Sequence, residues 1–285
     1  MKIAIQGIKG SFHHIVAEKF FGENIELAEC MSFTEIPVLL KNDQVESAIM
    51  AIENSIAGAI LPNYALIDEY ELSIEGEVYV NIHHHLMALE GQDLSDIKEV
   101  WSHPMALLQC RKFFREHPGI KLVEEKDTAE VARRIQQNQI KGVAAVASKR
   151  AADLFGLDII SNDIQTIKHN STRFFVLKKS KNAPYHPSKV ENIKDKSSIK
   201  FVTQHNKGSL AEILDIFAKH DINLTKIQSL PRIGTAWEYH FFIDVLFEDY
   251  ARYSRAISAI RPLTEELMIL GEYAEGAKKN TTVIG

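Results

Sequence analysis

Short apolar runs of strand length alternate along much of the chain with stretches whose apolar residues recur at helical spacing. Lys2 to Gln6 predicts a strand, and Gly7, Gly10 and Ser11 a turn into a helix from Phe12 to about Phe21, capped by Ser11 and ended by Gly22. A strand near Ile25 to Ala28 and a helix near Phe33 to Asn42 precede the apolar run Ser47 to Ile52, which stops at Glu53-Asn54-Ser55 and Gly58. Ile74 to Leu89 reads as a long strand pair. Glu99 to Trp101 ends at Ser102-His103-Pro104, where Pro104 suits the first position of a helix that continues from Ala106 to Phe114. Lys121 to Glu125 ends at Asp127-Thr128, capping Ala129 to Gln137; Val143 to Ala147 ends at Ser148, capping Lys149 to Phe155, which Gly156 closes. Phe174 to Leu177 reads as a buried strand.

The pattern then breaks. Lys178 to Ser198 is rich in Lys, Asn, Ser and Pro and reads as a linker. Beyond it come strand Ile199 to Gln204, a glycine turn at Gly208, helix Ser209 to His220, strands Asn223 to Ser229 and Tyr239 to Phe247, helix Tyr250 to Ile260 and strand Leu267 to Glu272. That βαββαβ order is ferredoxin-like. Ala274 to Gly285 reads as a loose tail.

Five expected strand-to-helix turns carry a short polar residue: Ser11, Asn54 with Ser55, Ser102, Thr128 and Ser148. Singly, each reads as a cap. Together, along the carboxyl edge of a parallel sheet, they line a crevice where helix N-termini face negative charge. The stretch KHNSTRFFVL, Lys168 to Leu177, places Asn170, Ser171, Thr172 and Arg173 at the mouth of a core strand. It reads either as a turn before that strand or as part of the crevice, with Arg173 its chief cation and a small hydroxylated acid its ligand. Asn-Ser-Thr is also a glycosylation sequon, which matters only in a secreted chain. His83, His84 and His85 invite a metal reading, but adjacent strand residues face opposite ways and no carboxylate or cysteine stands at ligand spacing, so packing is the expectation. There is no Gly-x-Ser-x-Gly elbow to mark a nucleophile.

Composition adds limits. With 285 residues, 45% of them hydrophobic and 25% charged, the chain has material for two or three packed units. A formal net charge of -5 supplies no basic field for nucleic acid or an acidic membrane. Two cysteines make neither a disulfide framework nor a multi-cysteine zinc site. Met1 leads straight into KIAIQG, and no stretch approaches 18 uninterrupted apolar residues. A cytoplasmic protein is expected, with no nucleic-acid or membrane partner.

Taken together the motifs are similar to those of prephenate dehydratases that carry a C-terminal ACT domain, over nearly the whole chain. GIKGSFHHIVA resembles the family's opening Gly-x-x-Gly-Thr-Phe-Ser motif, IENSIAGAI (52 to 60) its Glu-Asn-Ser segment, SHPMALLQC (102 to 110) its Ser-His-Pro segment and NSTRF (170 to 174) its Thr-Arg-Phe signature. GSLAEIL (208 to 214) and NLTKIQSLP (223 to 231) resemble the two effector-loop motifs of ACT domains. Ile8 replaces the usual Pro, His13 the usual Ser or Thr, and Gln228 and Leu230 the usual Glu and Arg.

The resemblance implies an α/β catalytic region of two lobes like a periplasmic binding protein, residues 1–178, with lobe one at 1–78 plus 168–178 and lobe two at 79–167. A linker at 179–197, the ACT domain at 198–273 and a tail at 274–285 follow. It implies cofactor-free decarboxylating dehydration of prephenate to phenylpyruvate, with arogenate dehydration or a non-catalytic sensor as alternatives. Thr172 is then the donor to the departing hydroxyl. Arg173 either holds the pyruvyl carboxylate or pairs across the lobes. Ser11, Asn54, Ser55, Thr128, Asn170, Ser171 and Phe174 are expected at the substrate, and Gly208, Ser209, Leu210, Asn223 and Leu224 at a phenylalanine effector held between copies of a homodimer or homotetramer. His13 either carries a proton or is a helix-surface residue.

Overall fold

The computed structural model describes residues 1–180, 194–204, 206–232 and 238–277. In chain order it runs β1 (Lys2–Gln6), α1 (Phe12–Phe21), β2 (Glu26–Cys30), α2 (Glu35–Lys41), β3 (Ser47–Asn54), β4 (Gly58–Ala59), α3 (Leu61–Glu69) and β5 (Leu72–Asn81). Next come β6 (His85–Ala88), β7 (Glu99–Ser102), α4 (Pro104–Gln109), α5 (Arg111–Glu116), β8 (Lys121–Glu124), α6 (Thr128–Gln137), β9 (Val143–Ala147), α7 (Lys149–Phe155), β10 (Asp158–Ser161) and β11 (Ser171–Lys179). The C-terminal part is β12 (Lys196–Thr203), α8 (Ser209–Lys219), β13 (Asn223–Pro231), β14 (Tyr239–Leu246), α9 (Tyr250–Ile260) and β15 (Thr264–Tyr273). Two compact units result: Met1–Asn63 with Val78–Phe174, and Tyr64–Glu77 with Phe175–Gly285.

Residues 2–179 form two sheets. One has the order β2-β1-β3-β11-β5, with β1 parallel to both β2 and β3; the other has the order β10-β6-β9-β7-β8, with β7 parallel to both β8 and β9. Ile3, Ala4 and Ile5 of β1, Ile49 and Met50 of β3 and Ala144 to Ala147 of β9 are fully buried, as expected of central strands covered on both faces. Three expected caps form. Ser11 accepts from the N–H of His14 at 3.2 Å, Asp127 from Glu130 at 2.7 Å and Ser148 from Ala151 at 3.1 Å, while Gly156 closes α7 in the left-handed region at φ 66°.

Two expected caps do not form. His103 caps α4, because the Ser102 hydroxyl is buried and donates to the Val146 carbonyl at 2.7 Å, tying β7 toward β9. Asn54 and Ser55 lead not into a helix but into β4, and α3 begins only at Leu61. The expected helix over Ala106 to Phe114 is two, α4 and α5, meeting at Cys110. His83 and His84 lie in the connection between β5 and β6 rather than in a strand.

The second unit has the sheet order β13-β14-β12-β15, antiparallel throughout, which is the ferredoxin-like arrangement expected. Ile199, Phe201, Ile243 and Val245 pack against Ile213 and Phe217 of α8 and Tyr253 and Ile257 of α9. Segment 64–77 joins this unit through polar contacts. Lys196 Nζ meets Glu77 Oε1 at 2.7 Å with both side chains essentially inaccessible, and Lys200 Nζ meets Asp68 and Glu266, each at 2.6 Å. Tyr64 meets Phe242 edge-on, centroids 5.4 Å apart. This explains an unforeseen extension: β12 starts at Lys196 rather than Ile199, because the lysine has a buried carboxylate to reach. Of the expected linker and tail, 181–193 and 278–285 lie outside the described residues.

Removing one partner of a buried pair leaves an uncompensated charge and costs about 3–5 kcal/mol, whereas replacing both with apolar residues is close to neutral. Lys196→Met should therefore lower the stability measured by urea unfolding by about that amount. The double variant Lys196→Met, Glu77→Leu should recover most of it.

Candidate active site

A cavity of about 650 Å³ opens in the first unit. Its walls are largely apolar, with Phe12, Phe33, Ile60, Leu61, Ile82, Met105 and Phe174 among them, and a few polar groups converge on it: Ser11, His13, Asn54, His84, His103, Gln109, Lys126, Asp127, Thr128 and Thr172. The volume and the mixture suit a small organic ligand that needs both shape and orientation.

Thr172 stands at one end of a chain of oriented amides. The Asn54 side chain is fixed first: its Oδ1 accepts from the backbone N–H of Ile56 at 3.0 Å and of Ala57 at 2.9 Å. Its Nδ2 must then be the donor, reaching Thr172 Oγ1 at 2.8 Å and Asn170 Oδ1 at 2.7 Å. With its oxygen engaged, Asn170 donates through Nδ2 to Gln109 Oε1 at 2.9 Å. That same oxygen lies 2.9 Å from His84 Nε2, which fixes the proton of His84 on Nε2 and leaves the Gln109 N–H groups for the cavity wall. Ser55 and Ser171 lie behind this chain, joined by Ser55 N–H to the Ser171 carbonyl at 2.8 Å and Ser171 N–H to Ser55 Oγ at 3.0 Å.

Because Thr172 Oγ1 receives a hydrogen bond from an amide, its own O–H is directed elsewhere, and Thr172 lines the cavity. Strand alternation puts Thr172 and Phe174 on the cavity wall and Arg173 between them, buried and outside the lining. Ser55, Asn170 and Ser171 are likewise not in the wall, whereas Ser11, Asn54 and Thr128 are.

The cavity lies between the two sheets' helices, and glycine sets their approach. Gly7 has φ +83°, and a Cβ there would stand 2.3 Å from Asp127 Oδ2; at Gly10, φ +91°, it would stand 3.1 Å from the Ala151 backbone. The Gly10 carbonyl accepts from the Ser148 hydroxyl at 2.6 Å. The two glycines of GIKG thus do structural work at a seam, not at a phosphate.

His13 is buried rather than on the helix surface. Its Nε2 accepts from the Ala51 N–H at 3.4 Å, its ring meets Phe174 edge-on at 5.0 Å, and burial lowers its pKa to about 3. Burial likewise lowers His84 to about 4, against a smaller opposing effect of its bond to Gln109. In both, burial favours the neutral imidazole. Among the described residues no three or more His, Cys, Asp or Glu gather to hold a metal ion.

A family model described as prephenate dehydratase matches residues 3–182, and one for the ACT domain matches 198–249. The chain belongs to the prephenate dehydratase family. A relative from Arabidopsis thaliana, arogenate dehydratase/prephenate dehydratase 2, is 35% identical over 287 residues, covering 96% of this chain and 72% of the relative. The solved prephenate dehydratase of Arthrobacter aurescens in complex with L-Phe is 26% identical, with a TM-score of 0.83 over 96% of this chain and 90% of that one. A structure described as GqqA, a novel type of quorum quenching acylase, is 27% identical with a TM-score of 0.84, covering 97% of this chain and 98% of that one.

Several lining residues were not singled out from the sequence. Gln109 sits within SHPMALLQC, where its amide could have been read as chemistry rather than as helix surface. Lys126 and Asp127 precede a helix, so the capping role of Asp127 hid its place in the wall. His84 was masked by its two neighbours.

The depressed histidines carry a pH signature. A group whose folded pKa lies below its unfolded value contributes stability above the unfolded pKa and loses it as pH falls toward the folded one. From His13, with an ordinary value of 6.5 falling to about 3, melting temperature should decline below pH 6.5. His13→Gln should flatten that decline in thermal melts between pH 6.5 and 4; an unchanged slope would remove His13 as its source.

Proposed function

We propose that the cavity converts prephenate to phenylpyruvate by decarboxylating dehydration, and that Thr172 is the catalytic donor. The observation that carries this is the Asn54 amide on Thr172 Oγ1, which leaves the hydroxyl hydrogen free to be aimed. In the reaction the bond from the ring to its carboxylate breaks, the electron pair moves into the ring, and the para C–O bond breaks to release the hydroxyl. Aromatisation drives the step, so the barrier is the leaving group. An oriented donor that meets charge only as it develops contributes a few kcal/mol in a water-poor site. A threonine held by an amide is a donor, not an activated nucleophile; among the described residues no histidine side chain hydrogen-bonds Thr172 or Ser11, which argues against acyl transfer at this cavity.

The apolar walls take the ring. Lys126, the lysine among the described lining residues, takes a carboxylate. The position of Arg173 outside the wall supports a structural pairing role over a grip on the pyruvyl carboxylate. No cofactor enters the chemistry.

Regulation by phenylalanine through the ACT domain belongs to the same proposal. Gly208 is exposed with φ +88° at the start of α8, whereas Asn223 and Leu224 follow that helix's far end. Eleven residues at ~1.5 Å each separate the two motifs by about 16 Å within one chain. A site that uses Gly208, Ser209 and Leu210 together with Asn223 and Leu224 therefore needs a second copy, which supports a homodimer or homotetramer. The arrangement of 1–178 as catalytic lobes (1–78 with 168–178, and 79–167), 179–197 as linker and 198–273 as ACT domain belongs to this reading.

Thr172→Ala should lower kcat by at least about 100-fold with substrate binding retained, and Thr172→Ser should keep much of the rate. Near-normal turnover in the alanine variant would remove Thr172 from the mechanism. Titrating phenylalanine while following activity and oligomer mass tests the regulatory half. Coupling of about 1–3 kcal/mol should change substrate affinity 5- to 150-fold. No change in either quantity would leave the ACT domain without a regulatory role.

A further inference from the structure

A second concavity lies beside the catalytic cavity in the first unit. It is a groove of about 200 Å³ on which four exposed apolar side chains converge: Ile56, Met105, Leu108 and Ile167, each 40% exposed or more. Single exposed apolar residues are ordinary, but several that share one concavity mark a place where an apolar body is received. Ala57, Met105 and Gln109 line both the groove and the cavity, so the two adjoin. Ile56, Leu108, Arg111, Thr166 and Ile167 line the groove and not the cavity, and the reaction above uses none of them.

The polar side chains of the groove offer hydrogen. Gln109 Oε1 is taken by Asn170 and His84, which leaves that amide its N–H groups. Thr166 Oγ1 already accepts from the Lys112 N–H at 3.1 Å and keeps its O–H to give. Arg111 adds a planar fork of N–H donors and a permanent positive charge. No carboxylate stands among the described lining residues, so a cationic ligand finds no side-chain partner there. Size narrows the choice further. A cavity of about 150 Å³ takes up benzene, so this groove holds one aromatic ring with a short substituent.

We propose that the groove is a second binding site, for an aromatic carboxylate, beside the catalytic cavity. The apolar side chains take the ring, and Arg111 takes the carboxylate in the two-point geometry that a guanidinium provides. Phenylpyruvate belongs to this class, and in naming it as the ligand the inference rests on the dehydratase reading, which makes it the product. Product is then held beside the cavity after its release.

The two sites have separate reporters. Ile56 and Ile167 line the groove alone of the two, whereas Ile60 and Ile82 line only the cavity. Phenylpyruvate titrated into the full chain carrying isotope-labelled isoleucine methyl groups should shift the NMR signals of Ile56 and Ile167. In Arg111→Gln the concentration needed for that shift should rise at least about tenfold, with the response of Ile60 and Ile82 unchanged. Leu108→Asp, which sets a negative charge in the groove, should act in the same direction. Both variants should keep the wild-type kcat and KM for prephenate, because neither position lines the cavity. Hydrocinnamate should shift the same two signals, and phenethylamine, with an ammonium in place of the carboxylate, should leave them where they are. Signals that do not move, that move at the same concentration in both variants, or that respond equally to phenethylamine overturn the proposal. A fall in kcat/KM that matches the loss of binding overturns it as well, since the groove is then part of the catalytic cavity. Binding in the groove without turnover of prephenate overturns the dehydratase reading and leaves the ligand class of the groove standing.

Discussion

The side chain of Asn54 is the constraint on which the site depends. One of its ends is held by two backbone N–H groups of the following turn, and the other reaches Thr172 on β11 and Asn170 just before that strand. An amide held this way cannot flip without losing bonds at both ends. Each further member of the chain, Asn170, Gln109 and then His84, has its donor and acceptor assigned in turn. The direction of the Thr172 hydroxyl is therefore decided several residues away, in the turn that follows β3. Buried networks of this sort are costly when half satisfied and rigid when complete.

A second constraint is steric. The seam between the two sheets' helices is as close as it is because two positions have no Cβ, and both have φ values that favour glycine. The seam brings Asp127 against β1, so the same absence of side chains that permits packing also carries the cavity's acid into place. Packing and the lining of the cavity are here one geometric fact.

Much of this was legible in the sequence. The strand and helix order, the caps at Ser11, Asp127 and Ser148, and the ferredoxin-like unit followed from local periodicity and capping chemistry, which act over a few residues. Cross-chain partners were not legible. Ser102 looks like a cap until its hydroxyl is seen spending itself on Val146, and Lys196-Ser197-Ser198 looks like linker until Glu77 is found opposite the lysine. His13 has the pattern of a surface histidine but lies against Phe174. In the site, Thr172 and Asn54 were candidates from the sequence and both line the cavity, but the sequence could not show that Arg173 would lie outside the wall, because which face of β11 meets the cavity depends on the strands around it.

The incorporation of 64–77 into the C-terminal unit has a consequence for anyone recombining these enzymes. A chimera spliced after Lys179 exchanges the ACT strands but retains Asp68, Ile74 and Glu77, which were shaped to Lys200, Gly271 and Lys196 of the original partner. The foreign sheet would then face a mismatched carboxylate and a carbonyl with no room beside it. The heritable module is discontinuous, and the fourteen residues from Tyr64 to Glu77 travel with it.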